Sequence, residues 1–105
     1  MGSTVMDVAR EFQMRLPKFG EMIAVAFVEY VPRHNQLRLT ILIDRENPDE
    51  ESNLVQLEMD VEEAFPEISM DFSTIHLRGR DPDEFIPEDA FVVLKRSAHA
   101  RAIAR

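Results

Sequence analysis

The 105-residue sequence contains no cysteine. That excludes a disulfide framework, a thiolate metal site and a Cys nucleophile. Glycine is confined to Gly2, Gly20 and Gly79. The P-loop and the dinucleotide fingerprint each need several glycines at fixed spacing, so both are excluded. Ser52, Ser69, Ser73 and Ser97 stand in no Gly-x-Ser-x-Gly elbow. Long apolar runs are missing too. The longest, Met22 to Val28, falls far short of the ~20 residues that cross a bilayer. No basic region followed by an apolar run opens the chain, so no signal peptide is expected. The expected compartment is cytoplasmic, with no membrane partner.

What is present is charge, unevenly spread. The net charge is −8. Residues 1–43 carry 5 Lys/Arg against 4 Asp/Glu, residues 44–89 carry 3 against 16, and residues 90–105 carry 4 against none. An acidic middle repels phosphate backbones, which dominate nucleic-acid affinity, so nucleic acid is not an expected partner. Most of these charges read as a solvated surface.

Ser3 to Leu16 reads as an amphipathic helix. Val5, Val8, Ala9, Phe12 and Leu16 fall on one stripe at 3.6-residue periodicity. Ser3 or Thr4 caps its start, and Pro17 and Gly20 end it. Met22 to Val31 reads as a strand apolar on both faces, which argues for a central position. Pro32 to Gln36 is a hairpin connection. Leu37, Leu39, Ile41 and Ile43 then alternate with Arg38, Thr40 and Leu42, a strand with one strongly apolar face.

Asn47-Pro48-Asp49-Glu50 spells a helix start, with Asn47 as cap and Glu50 as the returning acid. Leu54, Leu57, Val61, Ala64 and Phe65 are its expected buried stripe, and Pro66 stops it. Ile68 to Leu77 is a third strand whose parity breaks. Met70 and Phe72 share one face while Ile75 and Leu77 share the other, so a bulge is expected near Ser73-Thr74. Asp81-Pro82-Asp83-Glu84 repeats the capping pattern before a short strand, Ala90 to Leu94. Residues 97–105 form a basic, Ala-rich tail.

The expected fold is therefore α+β: a mixed four-stranded sheet with two long helices packed on it, in the order α-β-β-α-β-(turn)-β. The second and third strands, joined by a helix, should run parallel, and the first two should form an antiparallel hairpin. Residues 1–105 read as a single domain.

No catalytic constellation stands out. His34, His76 and His99 lie in a turn, a strand end and the tail, without helical ligand spacing, so no metal site is expected. The run Asp44-Arg45-Glu46-Asn47-Pro48-Asp49-Glu50-Glu51 lacks the glycine and the distal Glu of a calcium loop and reads as a helix start. Glu58 with Glu62, and Asp60 with Glu63, line the polar side of their helix. Arg78-Gly79-Arg80 offers two guanidinium forks beside a glycine. With Arg38 they are the expected ligand-contact residues for a carboxylate or phosphate. No cofactor is expected.

From Val5 to Leu77 the order of elements resembles the minimal nucleotidyltransferase scaffold of the DNA polymerase β superfamily. In that family a Gly-Ser turn follows the first strand and an Asp-x-Asp motif sits on the second. Here the turn falls near Val28-Glu29-Tyr30, and Gln36 and Arg38 take the places of the metal-binding acids. The resemblance thus implies a catalytically degenerate relative that binds a nucleotide or other small anion. The same rhythm also resembles the cytosolic ferredoxin-like dimerisation domain of cation diffusion facilitators.

The leading expectation is a non-catalytic protein-interaction or regulatory module, not an enzyme. Its partner is another protein or a second copy in a homodimer. Exposed surface near the short fourth strand is the expected contact.

Overall fold

The computed structural model describes residues 4–96. The basic Ala-rich tail 97–105 lies outside the described residues.

The chain opens with helix α1, Val5–Arg15. A reciprocal cap fixes its start. Thr4 Oγ1 accepts from the Asp7 N–H at 3.3 Å, and the Asp7 carboxylate accepts from the Thr4 N–H at 2.9 Å. The cap therefore falls on Thr4, and two orphan amides of the first turn are satisfied. A 3-10 segment, Pro17–Met22, follows, with Gly20 at φ 56° making the exit turn. The segment has no side-chain cap, and the combination of φ 56° with ψ −135° at Gly20 is one that only glycine adopts without strain.

Strand β1, Ile23–Val31, then pairs antiparallel with β2, Gln36–Ile43. Their connection is a 3-10 turn, Pro32–His34, ended by Asn35 in the left-handed region. Asparagine tolerates that region better than most residues. Beyond β2 come α2, Pro48–Glu51, and α3, Asn53–Ala64. The helix predicted as one piece from Asn47 is thus interrupted at Ser52, whose hydroxyl donates to the Asp49 carbonyl at 2.7 Å. Asn47 caps as expected, accepting from the Glu50 N–H. The returning carboxylate, however, is that of Glu51 rather than Glu50, at 3.1 Å from the Asn47 N–H.

Strand β3, Met70–His76, lies parallel to β2, and β4, Phe91–Lys95, lies antiparallel to β1. The sheet order is β3-β2-β1-β4. It is the expected mixed four-stranded sheet of an α+β fold, with the hairpin antiparallel and the helix-linked pair parallel.

Both faces of this sheet are covered, unequally. On one face α1 and α3 pack over Ile23, Ala26, Val28, Leu37, Leu39, Ile41 and Ile43, contributing Val8, Phe12, Leu54, Leu57 and Val61. Phe65 joins this core, whereas Ala64 is exposed, because the helix ends there and the chain turns away. Arg15 bridges the two helices, 2.6 Å from Glu11 and 3.4 Å from Asp60. On the opposite face a smaller core unites Ala24, Val25, Phe27, Leu42 and Leu77 beneath Phe85, Ile86 and Ala90. The 3-10 segment Pro82–Phe85, capped by Asp81, lays this cover down.

The second core corrects the expected bulge. The β2–β3 register runs unbroken from Leu37–Met70 to Ile43–His76. Met70 and Phe72 face the helices, while Ile75 and Leu77 face the Pro82–Ala90 cover. Parity breaks because the strand meets two cores in succession, not because a residue is inserted. The irregular registers lie elsewhere: Ala24 is the extra residue of β1 against β2, and Val93 is the extra residue of β4 opposite Ala26 and Phe27.

Candidate functional site

Three surfaces gather side chains capable of recognition. The first lies at the C-terminal ends of the parallel pair. Ile43 and Asp44 leave β2, His76 ends β3, and Glu46 and Arg78 close the rim of an open cleft of about 400 Å³. The parallel register forces this meeting: Ile43 pairs with His76, and the Leu77 N–H donates to the Ile43 carbonyl at 2.8 Å. The chain leaving β2 turns into α2 directly above, which sets Glu51 against His76.

His76 Nε2 lies 2.7 Å from Glu51 Oε1. An ionised carboxylate only accepts, so the imidazole is the donor. The His76 hydrogen bond holds the Glu51 carboxyl below the usual glutamate range; partial burial opposes it, and the Asn47 N–H and the His76 charge reinforce it. Arg78 stands 3.7 Å from Glu46, with most of both side chains in water. Arg78 itself sits at φ 51° beside Gly79 at φ 85°, so two successive left-handed residues make the exit turn from β3. Among the described residues no three His, Asp or Glu side chains converge to hold a metal ion.

The three arginines expected to share a ligand do not meet in this cleft. Arg78 lines it. Arg38 lies near the start of β2, five residues or about 16 Å of strand from Ile43, and pairs with Asp71 across the parallel register at 3.2 Å. Arg80 stacks on Phe85, its guanidinium carbon 4.6 Å from the ring centroid. Arg38 is therefore committed to Asp71, and Arg80 lies over the Phe85 ring that covers the second core. The cleft that remains has one arginine against two carboxylates, Asp44 and Glu46.

The second surface is a corner of the molecule at the opposite end of the sheet. Gln13 Nε2 donates to the Val93 carbonyl at 2.8 Å, which places this side of α1 along β4. Met6 precedes Gln13 by seven residues, about two turns, and so lies on the same side. Phe91 pairs with Val28, which makes Tyr30, two residues on, its diagonal neighbour on the helix-covered face. The exposures are large for such residues: Met6 48%, Tyr30 49%, Phe91 40%, and Val92 on the other face 39%. Beside them a cleft of about 320 Å³ is lined by Val5, Tyr30, Asn35, Leu37, Glu67 and Ile68, among others. The Tyr30 hydroxyl donates to Asn35 Oδ1 at 2.8 Å, which holds the ring over the turn.

The third surface is the outer face of α3. Val55 and Met59, one turn apart, are 59% and 47% exposed. Glu58, Glu62 and Glu63 surround them.

No family model matches the chain, and no curated protein matches it significantly. Among the described residues no helix is long and apolar enough to cross a membrane.

Sequence reasoning located the Arg78 loop but missed the pairing of His76 with Glu51. A signal for it existed: in a parallel crossover, the end of the second strand of the pair lies beside the start of the connecting helix. It also missed Gln13, which reads as one polar residue among others until β4 is placed beneath it.

Proposed function

We propose that this protein is a non-catalytic interaction module that self-associates as a homodimer through the corner formed by Met6, Tyr30 and Phe91. The observation that carries this reading is the juxtaposition of exposed apolar side chains with a cleft of mixed apolar and polar lining. A two-fold contact needs a surface that is complementary to itself, each copy offering both what inserts and what receives. Phe91 and Met6 are exposed; Val5, Leu37 and Ile68 supply the aliphatic part of the recess lining, beside Tyr30. Glu67 is the one charged residue lining the cleft, so a two-fold contact there sets few like charges against each other.

The contact runs through side chains rather than by sheet extension. Gln13 already occupies the Val93 carbonyl at the middle of the β4 edge. Lys95, paired with Asp83 at 3.0 Å, adds a charge at its end, and edge lysines disfavour strand pairing.

Molar mass by light scattering and sedimentation tests this over micromolar to millimolar concentration. The wild-type chain is expected as a dimer that dissociates on dilution. Phe91→Glu, at an exposed position, is expected to be monomeric with an unchanged far-ultraviolet spectrum. A wild-type chain that stays monomeric throughout refutes the reading.

A second reading is a degenerate nucleotidyltransferase-like domain that holds a nucleotide or small anion at Arg78. One observation favours it: the first cleft lies at the carboxyl ends of parallel strands, where open α/β sheets bind ligands. Asp44 and Glu46 oppose it. Thermal melts with and without a nucleoside triphosphate and magnesium decide, since a ligand at 100 times its Kd stabilises by about 2.7 kcal/mol.

A further inference from the structure

We propose that the outer face of α3 is a docking surface for a basic amphipathic segment of another protein, seated with apolar anchors against Val55 and Met59 and Lys/Arg side chains against Glu58, Glu62 and Glu63. Single exposed apolar residues are ordinary on protein surfaces. Here two of them stand one turn apart, on the side of the helix directly opposite the buried Leu54, Leu57 and Val61. They form a short ridge, and carboxylates flank it on both sides.

Among the described residues no cation is paired with the acids around the ridge. Arg15 pairs with Asp60 on the inner flank, next to α1. Among the described residues none of Glu58, Glu62 and Glu63 enters a salt bridge. Burial pushes the Glu58 carboxyl above the usual range, and the charge of Glu62, one turn on, pushes it further. Like charges at this spacing destabilise a helix by about 0.2–0.5 kcal/mol. A cation from outside offsets the Glu58–Glu62 repulsion, and the apolar ridge gives it a footing that charge alone does not. The setting matches: residues 44–89 hold 16 acids and 3 bases. The complementary surface is basic and amphipathic.

This surface is separate from the Met6–Phe91 corner, so the test is run in the Phe91→Glu background as well as in the wild type. The probe is a fluorescein-labelled 15-residue Lys/Leu amphipathic helix. Its control is a peptide of equal charge with serine in place of leucine. Fluorescence anisotropy at about 50 mM and 300 mM salt reads affinity, and amide NMR shifts read location. The probe is expected to bind at least tenfold tighter than the control and to shift residues 52–63. The triple variant Glu58→Gln, Glu62→Gln, Glu63→Gln and the double variant Val55→Ser, Met59→Ser should each lose at least tenfold. Phe91→Glu should bind as the wild type does. Equal binding by the triple variant, or shifts centred on the corner instead, overturns the proposal. So does a tenfold gain on removing residues 97–105, because the chain's own basic tail would then be the occupant.

Discussion

Leu77→Ala is the sharpest probe of the two-sided sheet. Leu77 is fully buried, held at its backbone by the Ile43 carbonyl, and packed in the smaller core beneath Phe85 and Ile86. Truncation removes apolar contacts and leaves a cavity; buried Leu→Ala changes cost about 2–5 kcal/mol, according to how far the surroundings collapse. Here one wall is the irregular segment from Pro82 to Ala90, joined by Lys95–Asp83 on its outside. That wall can close part of the gap, so the expected loss is about 3 kcal/mol. Against a total of about 5–15 kcal/mol this is a large fraction. Converted at about 4–8 °C per kcal/mol, it lowers Tm by roughly 12–24 °C. Urea unfolding followed by circular dichroism measures it, since Tyr30, the one tyrosine, is exposed and reports poorly on the core. The slope with urea should stay constant while the midpoint falls. Cleavage by a Glu-specific protease at Glu84 and Glu88 should quicken, because the cover loses its anchor. A loss below about 1 kcal/mol, with no change in cleavage, refutes the claim that this segment seals a second core.

The remaining predictions concern polar contacts. Glu51 has a folded pKa below its unfolded one, so its stabilisation is complete above the ordinary glutamate range of about 4.3 and disappears as pH falls through that range and below. Urea midpoints between pH 7 and pH 3 should therefore decline less steeply in His76→Ala than in the wild type; parallel curves contradict the pairing. Gln13→Ala should cost about 1 kcal/mol by uncovering the Val93 carbonyl, and the variant should aggregate faster because the β4 edge is left open. An unchanged midpoint and unchanged light scattering would show that the bond does not guard the edge.

Much of the fold was legible because local chemistry and tertiary packing agree in it. Thr4, Asn47 and Asp81 cap where short polar side chains precede Asp, Pro or Glu. The two-faced apolar run of β1 announced its central place between β2 and β4. Errors arose where one segment meets two environments. The parity of β3 suggested a bulge because a single buried face was assumed, and nothing local marks Pro82–Ala90 as a lid. Ser52 interrupts the helix while keeping helical dihedrals, so no breaker residue announces it. The arginines dispersed for a different reason. A guanidinium takes its nearest complementary group, and Asp71 and Phe85 become near only through strand register and the return of the chain. Spacing along the sequence holds no record of either.

The way both sheet edges end bears on how this molecule can meet another. β4 offers its middle carbonyl to Gln13 and its final side chain to Asp83. At the other edge, β3 carries Asp71, tied to Arg38, and an exposed Thr74. Charged side chains and a helix-borne cap are the devices by which natural sheets resist edge-to-edge growth. With sheet addition suppressed, association is left to side-chain surfaces, where affinity depends on a few anchors and on charge. The apolar corner lies where α1 meets β1 and β4, while the acidic ridge lies on α3, which packs beside α1 on the same layer. Packing therefore holds the two surfaces rigidly relative to each other without merging them. On the proposals above, an anchor change at the corner is expected to alter self-association, and a charge change on the ridge to alter binding of a basic segment. That separation is what allows each to be broken by substitution while the other is measured.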